Sequence, residues 1–150
     1  MPKLSKIKST QNIIFYSSDT TSELLLNFAE GGISAGFPSP ADDYLDVSLD
    51  LNKALIKNPS STFYGRVKGL SMKDAGIEEG DLLIIDKSLE AKNNKIAVCF
   101  IDGEFTLKRI KLDKKEVYLM PANPDYKPIK ITEENDFMIW GIVSYVIKKV

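Results

Sequence analysis

Residues 96–110 read IAVCFIDGEFTLKRI, and this stretch predicts two β-strands joined by a tight turn. Asp102-Gly103 is the strongest two-residue hairpin signal in the chain, because an Asp-Gly pair adopts the positive φ angles of such turns. The first strand is continuously apolar, which is typical of a buried strand. Alternation along the second strand predicts two faces: Phe105, Leu107 and Arg109 on one, and Thr106, Lys108 and Ile110 on the other.

Short strands continue on both sides of this hairpin. They are predicted over residues 62–67 and 82–86 upstream, and over 117–120, 129–131 and 137–147 downstream. Helix signals are few: a helix over 53–57 ended by Asn58-Pro59, a single turn over 72–76, and a short helix over Leu24–Phe28 between Thr21 and Gly31-Gly32. Many short strands with few helices predict a mainly-β domain.

The first part of the chain has a different composition. Residues 1–43 are rich in Ser, Thr and Gly and hold two apolar islands, at 13–16 and 24–28. Prolines and glycines between residues 31 and 40 exclude a helix there and leave two readings, a flexible linker or an extended strand lying in a groove. We therefore expect a flexible N-terminal arm over 1–43 and a β-rich domain over 44–150.

Composition excludes several classes of site. The 150 residues carry a formal net charge of -1, so nothing global indicates nucleic-acid binding. Cys99 is the only cysteine and the chain has no histidine, so an internal disulfide is excluded and a zinc site is not expected. A lone cysteine in a predicted strand indicates packing and a reducing cytoplasm. No apolar stretch approaches the ~20 residues that span a bilayer, and no signal peptide is recognisable.

Ser71 and Lys108 are the candidate chemical groups. A serine hydroxyl needs a nearby base to act as a nucleophile, and the absence of histidine excludes Ser-His-Asp chemistry. Lysine can replace histidine where apolar surroundings disfavour its ammonium form, and Phe105, Leu107 and Ile110 offer such surroundings for Lys108. Lys73 lies closer in sequence, but without the companion motifs of Ser-x-x-Lys enzymes it is interpreted as a surface residue.

Three segments, in order and at matching intervals, resemble one family. They are Ala35–Tyr44, reading AGFPSPADDY; Gly69–Met72, reading GLSM; and Asp102–Lys108, reading DGEFTLK. Together they resemble the LexA/UmuD family of self-cleaving serine peptidases, peptidase family S24, and its UmuD branch most closely. The resemblance covers roughly residues 33–148 and implies the β-strand fold of the family's C-terminal domain.

The resemblance also implies roles for residues. Ser71 would be the nucleophile, Lys108 the general base and acid, and the backbone N–H groups of Ser71 and Met72 the oxyanion donors. Ala35-Gly36 would be the cleaved bond, although cysteine often stands where this chain has Ala35. The implied partners are a second copy of the chain, the RecA–single-stranded-DNA filament and a UmuC-type Y-family polymerase, with no cofactor, no sequence-specific DNA binding and no membrane.

Other functions stay open at this point. The chain could be a LexA-like repressor fragment or antirepressor, or a non-catalytic binding module of the same fold. A signal peptidase with the same Ser-Lys pair would need a membrane anchor, which the sequence lacks. The role of the two apolar islands is also open, and one hypothesis is that they pack across the catalytic domain or the dimer mate before cleavage.

Overall fold

The computed structural model describes residues 5–9, 13–28, 47–69 and 72–150. Strands dominate these ranges, and the mainly-β class predicted from the sequence is confirmed. The strands are β1 (Ser5–Ser9), β2 (Ile13–Ser17), β3 (Leu25–Phe28), β4 (Val47–Asp50), β5 (Thr62–Val67), β6 (Leu82–Asp86), β7 (Ile96–Ile101), β8 (Glu104–Asp113), β9 (Glu116–Met120), β10 (Ile129–Lys130) and β11 (Phe137–Ile147). Within the described ranges, helical structure is limited to α1 (Leu51–Leu55) and the 3-10 turns Pro59–Ser61 and Lys73–Ala75.

Nine strands form one sheet, in the order β1-β2-β5-β6-β11-β7-β8-β9-β10, and β3 pairs with β4 in a second sheet. Every pairing is antiparallel. The last strand of the chain therefore lies in the middle of the large sheet, between β6 and β7. None of the helices in the described ranges has the length or apolar character to cross a membrane.

Both faces of the central strands carry buried side chains. One core cluster contains Ile13, Phe15, Val67, Met72, Ile77, Leu83, Ile85, Val98, Phe105 and Leu107. A second contains Ala97, Cys99, Ile110, Leu119 and Ile142. Strand β7 contributes to both, because successive side chains of a strand point to opposite faces. This explains why its sequence is apolar at every position.

Two strands of the predicted arm, β1 and β2, join the large sheet. The first apolar island forms β2, which pairs with β1 on one side and with β5 on the other. Ile13 and Phe15 are buried in the first core cluster. The predicted domain boundary between residues 43 and 44 stays a prediction, but the two strands β1 and β2 extend the sheet of the β-rich domain.

The prediction of a short helix over Leu24–Phe28 is wrong, because Leu25–Phe28 forms β3 and pairs with β4. A short apolar run does not by itself distinguish a helix from a strand, and here a partner strand decides. Thr21, which was expected to begin that helix, takes part in a local turn instead. The Asp19 carboxylate accepts a hydrogen bond from the Thr21 backbone N–H (2.9 Å).

The helix predicted over residues 53–57 is present but begins earlier, at Leu51. The Asp50 side chain caps it by accepting a hydrogen bond from the Asn52 N–H (3.0 Å). Asn58-Pro59 follows the helix, as expected, and opens a 3-10 turn that leads into β5.

Candidate active site

The β7–β8 hairpin positions Lys108. Asp102 and Gly103 have φ angles of 48° and 89°, so the predicted two-residue turn is confirmed. The register places Lys108 opposite Ala97 and Thr106 opposite Cys99. Thr106, Lys108 and Ile110 therefore share the face of the second core cluster, as the alternation predicted.

The Lys108 side chain is almost completely buried, with 5% of its surface exposed. Its Nζ donates hydrogen bonds to Thr106 Oγ1 (2.9 Å) and to the Leu107 carbonyl (3.2 Å). The Tyr126 ring lies over it, with its centroid 6.0 Å from Nζ. Burial lowers the pKa of Lys108, because an ammonium loses hydration in this environment. The sequence-based expectation that this lysine is desolvated is confirmed.

The residues that suggested this burial do not all cause it. Phe105 and Leu107 belong to the first core cluster, on the opposite face of β8. Ile110 shares the face of Lys108. Lys108 is buried because both faces of β8 carry core residues, the first cluster on one face and the second cluster on the face that Lys108 shares.

Cys99 lies on the same face and is fully buried. Burial raises the pKa of its thiol to about 12, with the nearby Lys108 charge acting in the opposite direction. A thiol with so high a pKa is not a nucleophile near neutral pH. Cys99 is therefore a packing residue, as its sequence context predicted.

Ser71 lies outside the described residues, so its distance from Lys108 stays a prediction. The structure describes the chain on both sides of Ser71, up to Gly69 and from Met72 onward. Gly69 has φ of 90°, a conformation that favours glycine. The base of the loop is closed by hydrogen bonds from Val67 N to Asp81 O and from Gly80 N to Val67 O, both 2.9 Å. Met72, the predicted second oxyanion donor, is buried in the first core cluster.

The loop over residues 121–126 contacts both halves of the candidate site. Its Ala122 carbonyl accepts a hydrogen bond from Asp74 N (2.7 Å), in the turn that follows Met72. Its Tyr126 ring lies over Lys108. The loop is shaped by Asn123, whose side chain accepts from Asp125 N (3.0 Å) while its carbonyl accepts from Tyr126 N (3.1 Å). One loop therefore contacts both the turn that follows Met72 and the surroundings of the Lys108 amine.

Thr106 and Tyr126 are the site residues that sequence reasoning missed. The alternation of β8 could have indicated Thr106, since it shares the face of Lys108. Asn123-Pro124 is a turn signal, but nothing in the sequence indicates that this turn contacts Lys108. Lys73, the other nearby lysine, is exposed, and its interpretation as a surface residue is confirmed.

The predicted scissile pair Ala35-Gly36 also lies outside the described residues. The chain leaves β3 at Phe28 and enters β4 at Val47, and these two residues are paired. The segment that holds the predicted cleavage site therefore begins and ends at neighbouring points of one hairpin. Among the described residues, no group of three or more Cys, Asp or Glu side chains is arranged to hold a metal ion.

Known proteins resemble this chain along most of its length. Residues 27–144 match the family model described as Peptidase S24-like. Protein MucA of Salmonella typhimurium is 41% identical over 133 residues, covering 88% of this chain and 90% of MucA. Protein SamA of Salmonella typhimurium strain LT2 is 44% identical over 115 residues, covering 77% of this chain and 79% of SamA.

The LexA repressor of Ectopseudomonas mendocina is 38% identical over 120 residues, covering 79% of this chain and 58% of that repressor. The family model spans well over half of the sequence, and the fold is the mainly-β fold that the resemblance implied. The chain therefore belongs to the S24 peptidase family, with UmuD-like relatives.

Proposed function

We propose that this chain cleaves itself between Ala35 and Gly36, with Ser71 as the nucleophile and Lys108 as the general base and acid. The observation that carries this proposal is the environment of Lys108. Its amine is buried and hydrogen-bonded, and its pKa is lowered by burial, which are the properties that a lysine base requires. An ordinary structural lysine keeps its ammonium in water.

The proposed role requires the neutral form of Lys108. A neutral amine carries a lone pair, which can take a proton from a serine hydroxyl within hydrogen-bond reach, about 2.6–3.2 Å. The Thr106 hydroxyl and the Leu107 carbonyl, which both accept from Nζ, orient the amine.

The reaction proceeds in two steps. Lys108 removes the Ser71 hydroxyl proton as Oγ bonds to the Ala35 carbonyl carbon, and the backbone N–H groups of Ser71 and Met72 stabilise the oxyanion. The Ala35–Gly36 C–N bond breaks, and the Lys108 ammonium gives its proton to the departing Gly36 nitrogen. Water, deprotonated by Lys108, then attacks the ester carbon; the bond from Ser71 Oγ to that carbon breaks, Oγ regains its proton from Lys108, and the Ala35 carboxylate is released.

The cellular role follows the UmuD branch of the family. The likeness to MucA and SamA, together with the resemblance of residues 33–148 to UmuD, supports a cytoplasmic protein of SOS mutagenesis. In this role the chain forms a homodimer, is stimulated to cleave by a RecA–single-stranded-DNA filament, and after cleavage joins a UmuC-type translesion polymerase. It needs no cofactor for the cleavage.

Incubation of the purified chain at alkaline pH tests the chemistry. We expect a fragment that begins at Gly36, identified by mass spectrometry, because high pH deprotonates Lys108. Ser71→Ala and Lys108→Ala should each abolish the fragment. Lys73→Ala is the matched control, since it removes an exposed lysine close to Ser71, and it should cleave at the original rate. A different cut site, or cleavage in the Ser71 or Lys108 variant, contradicts the proposal.

The same experiment separates the alternatives. A non-catalytic binding module of this fold shows no self-cleavage at any pH. The similarity to a LexA repressor keeps a repressor fragment or antirepressor as the second candidate. That candidate cleaves in the same way but does not co-purify with a Y-family polymerase, so co-purification from cells distinguishes the two roles.

A further inference from the structure

Strand β2 is an internal strand of the large sheet, although it lies in the part of the chain that precedes the predicted cleavage site. Five consecutive residues pair with β5, from Ile13 opposite Val67 to Ser17 opposite Phe63, and β1 covers its other edge. Ile13 is 0% exposed and Phe15 is 2% exposed. A strand buried in this way is part of the core and not an accessory to it.

Phe15 connects β2 to two strands of the peptidase domain. Its ring centroid lies 5.2 Å from that of Phe105 on β8 and 4.7 Å from that of Trp140 on β11. Trp140 in turn packs against Phe63 of β5, at 5.3 Å. Removing β2 would leave this aromatic cluster open to water, a large apolar exposure for a small domain.

Strand β5 is shaped to receive β2. Gly65 lies opposite Phe15, and a Cβ at Gly65 would lie 2.8 Å from Ile85 Cδ1 and 3.0 Å from Ile13 Cγ2. The missing side chain therefore makes room for the arm's isoleucine against β6. This is close packing of the kind found inside domains.

The chain after β2 is also attached to the domain. Ser18 Oγ donates to the Thr62 carbonyl (3.0 Å), and Asn52 Nδ2 donates to the Ser22 carbonyl (3.0 Å). Strand β3 pairs with β4 over four residues. These contacts, like those of β2, join residues that precede Ala35 to residues that follow Gly36.

We propose that the fragment ending at Ala35 stays bound after cleavage, so that the product is a nicked two-chain protein and not a shortened domain. This inference rests on the cleavage site of the proposed function. The edge of β5 and the Phe63–Phe105–Trp140 cluster form a strand-acceptor site, whose ligand is an extended segment with apolar side chains at alternating positions. Its resident ligand is the chain's own segment Ile13–Ser17.

Retention of the arm would limit which surfaces of the cleaved protein a partner can recognise. With the arm retained, cleavage leaves the core and the β5 edge covered. The change is the opening of the covalent connection between β3 and β4, which creates a carboxylate at Ala35 and an amino group at Gly36. Recognition of the processed form then depends on residues 29–46 and not on a newly exposed core face.

The test uses a cut that does not depend on the chain's own chemistry. A recognition sequence for a site-specific protease is inserted between Ala35 and Gly36 in the full-length Ser71→Ala variant, and the protein is cut with that protease. We expect the two pieces to co-elute in size-exclusion chromatography and to give one summed mass by native mass spectrometry. Separate elution of the N-terminal piece under native conditions overturns the proposal. Failure of self-cleavage in the unmodified chain counts only against the proposed function.

Two matched substitutions identify the anchor. Phe15→Leu alters the aromatic contact, whereas Tyr16→Leu alters the neighbouring side chain on the other face of β2. In the cut protein we expect the fragment to dissociate roughly tenfold faster with Phe15→Leu than with Tyr16→Leu, since loss of a core contact weakens packing more than loss of a half-buried one. Equal dissociation rates would show that the acceptor site is not what holds the arm. Circular dichroism of the uncut variants checks that both are folded.

Discussion

At the scale of a single residue, Lys108 has the property on which the proposed chemistry depends, an amine held away from water. Lysine is rarely buried in full, because hydration favours the ammonium strongly. Here the two faces of β8 are both covered, and the amine donates hydrogen bonds to the neutral Thr106 hydroxyl and the Leu107 carbonyl. The fold therefore shifts the amine toward its neutral form, which is the form that the proposed general base requires.

The pH dependence of self-cleavage follows from this shift. In the proposed mechanism the active form is neutral Lys108, so the first-order rate should rise with pH through the folded-state pKa of Lys108 and level off above it. Because burial lowers that pKa, the midpoint should lie below the ~10.4 of an unperturbed lysine. The rate is measured over a pH series by quantifying the fragment that begins at Gly36. A midpoint at or above ~10.4, or a flat profile, contradicts the role of Lys108.

Thr106→Val gives a second test of the role of Lys108, measured by the same pH series. The Thr106 hydroxyl accepts a hydrogen bond from Nζ, and an acceptor favours the charged form of the amine. Its removal should shift the midpoint to lower pH, whereas Lys73→Ala should leave the midpoint in place. A purely structural effect of Thr106→Val would change the plateau rate and not the midpoint.

The face of β8 that Lys108 occupies could be predicted from the sequence, whereas the residues that contact Lys108 could be predicted only in part. The Asp102-Gly103 turn sets the register of β7 and β8, and that register determines which face Lys108 occupies. Tyr126 could not be predicted in the same way, because its contact with Lys108 depends on the path of the 121–126 loop in three dimensions. Local patterns specify turns and faces, whereas contacts between distant loops depend on the complete fold.

At the scale of elements, the apolar islands show where sequence patterns are insufficient. Both islands are strands: the first joins the large sheet beside β5, and the second pairs with β4. The Leu24–Phe28 run was compatible with a helix until its partner strand was known. For runs of four or five apolar residues, the available partner decides the structure. In the hairpin of β7 and β8, by contrast, both partners are adjacent in the sequence and the prediction holds.

The packing of β2, β5 and β6 gives an element-scale prediction centred on Ile85. Its Cδ1 is the atom nearest to a Cβ at Gly65 (2.8 Å), and its Cγ2 is the atom nearest to a Cβ at Gly141 (2.6 Å). Gly65→Ala should therefore destabilise the uncut chain by about 1–3 kcal/mol through overpacking. Ile85→Val removes Cδ1 but keeps both γ-carbons, so it should reduce the destabilisation that Gly65→Ala causes.

Double-mutant cycles measured by denaturant unfolding check this prediction. The cycle of Gly65→Ala with Ile85→Val should show a favourable coupling energy of about 1 kcal/mol. The matched cycle of Gly141→Ala with Ile85→Val should lack such coupling, because the contacting Cγ2 atom remains. Additive effects in the first cycle would mean that Ile85 does not set the spacing between β2, β5 and β6.

At the scale of the whole molecule, the sheet order joins distant parts of the chain. Strand β11 pairs with both β6 and β7, and β2 pairs with β5 across the segment that holds the predicted cleavage site. Such an order could not be predicted from local periodicity, since each pairing brings together segments separated by many residues. After a cut between β3 and β4, the pairing of β2 with β5 and of β3 with β4 would have to hold the two pieces together without a covalent link.

Thermal unfolding of the cut protein tests whether the arm unfolds cooperatively with the rest of the chain. In the uncut chain the arm is tethered, so unfolding of β2 from β5 is an intramolecular event. After a cut between Ala35 and Gly36, unfolding also releases a separate chain, and mass action makes Tm depend on protein concentration. A tenfold dilution corresponds to about 1.4 kcal/mol, which should lower Tm of the cut protein by about 3–6 °C for a domain of this size. The uncut chain, measured over the same dilution series, corrects for association between copies. If both proteins show the same concentration dependence, the arm does not contribute to the cooperative unit and β2 is not an integral strand of the fold.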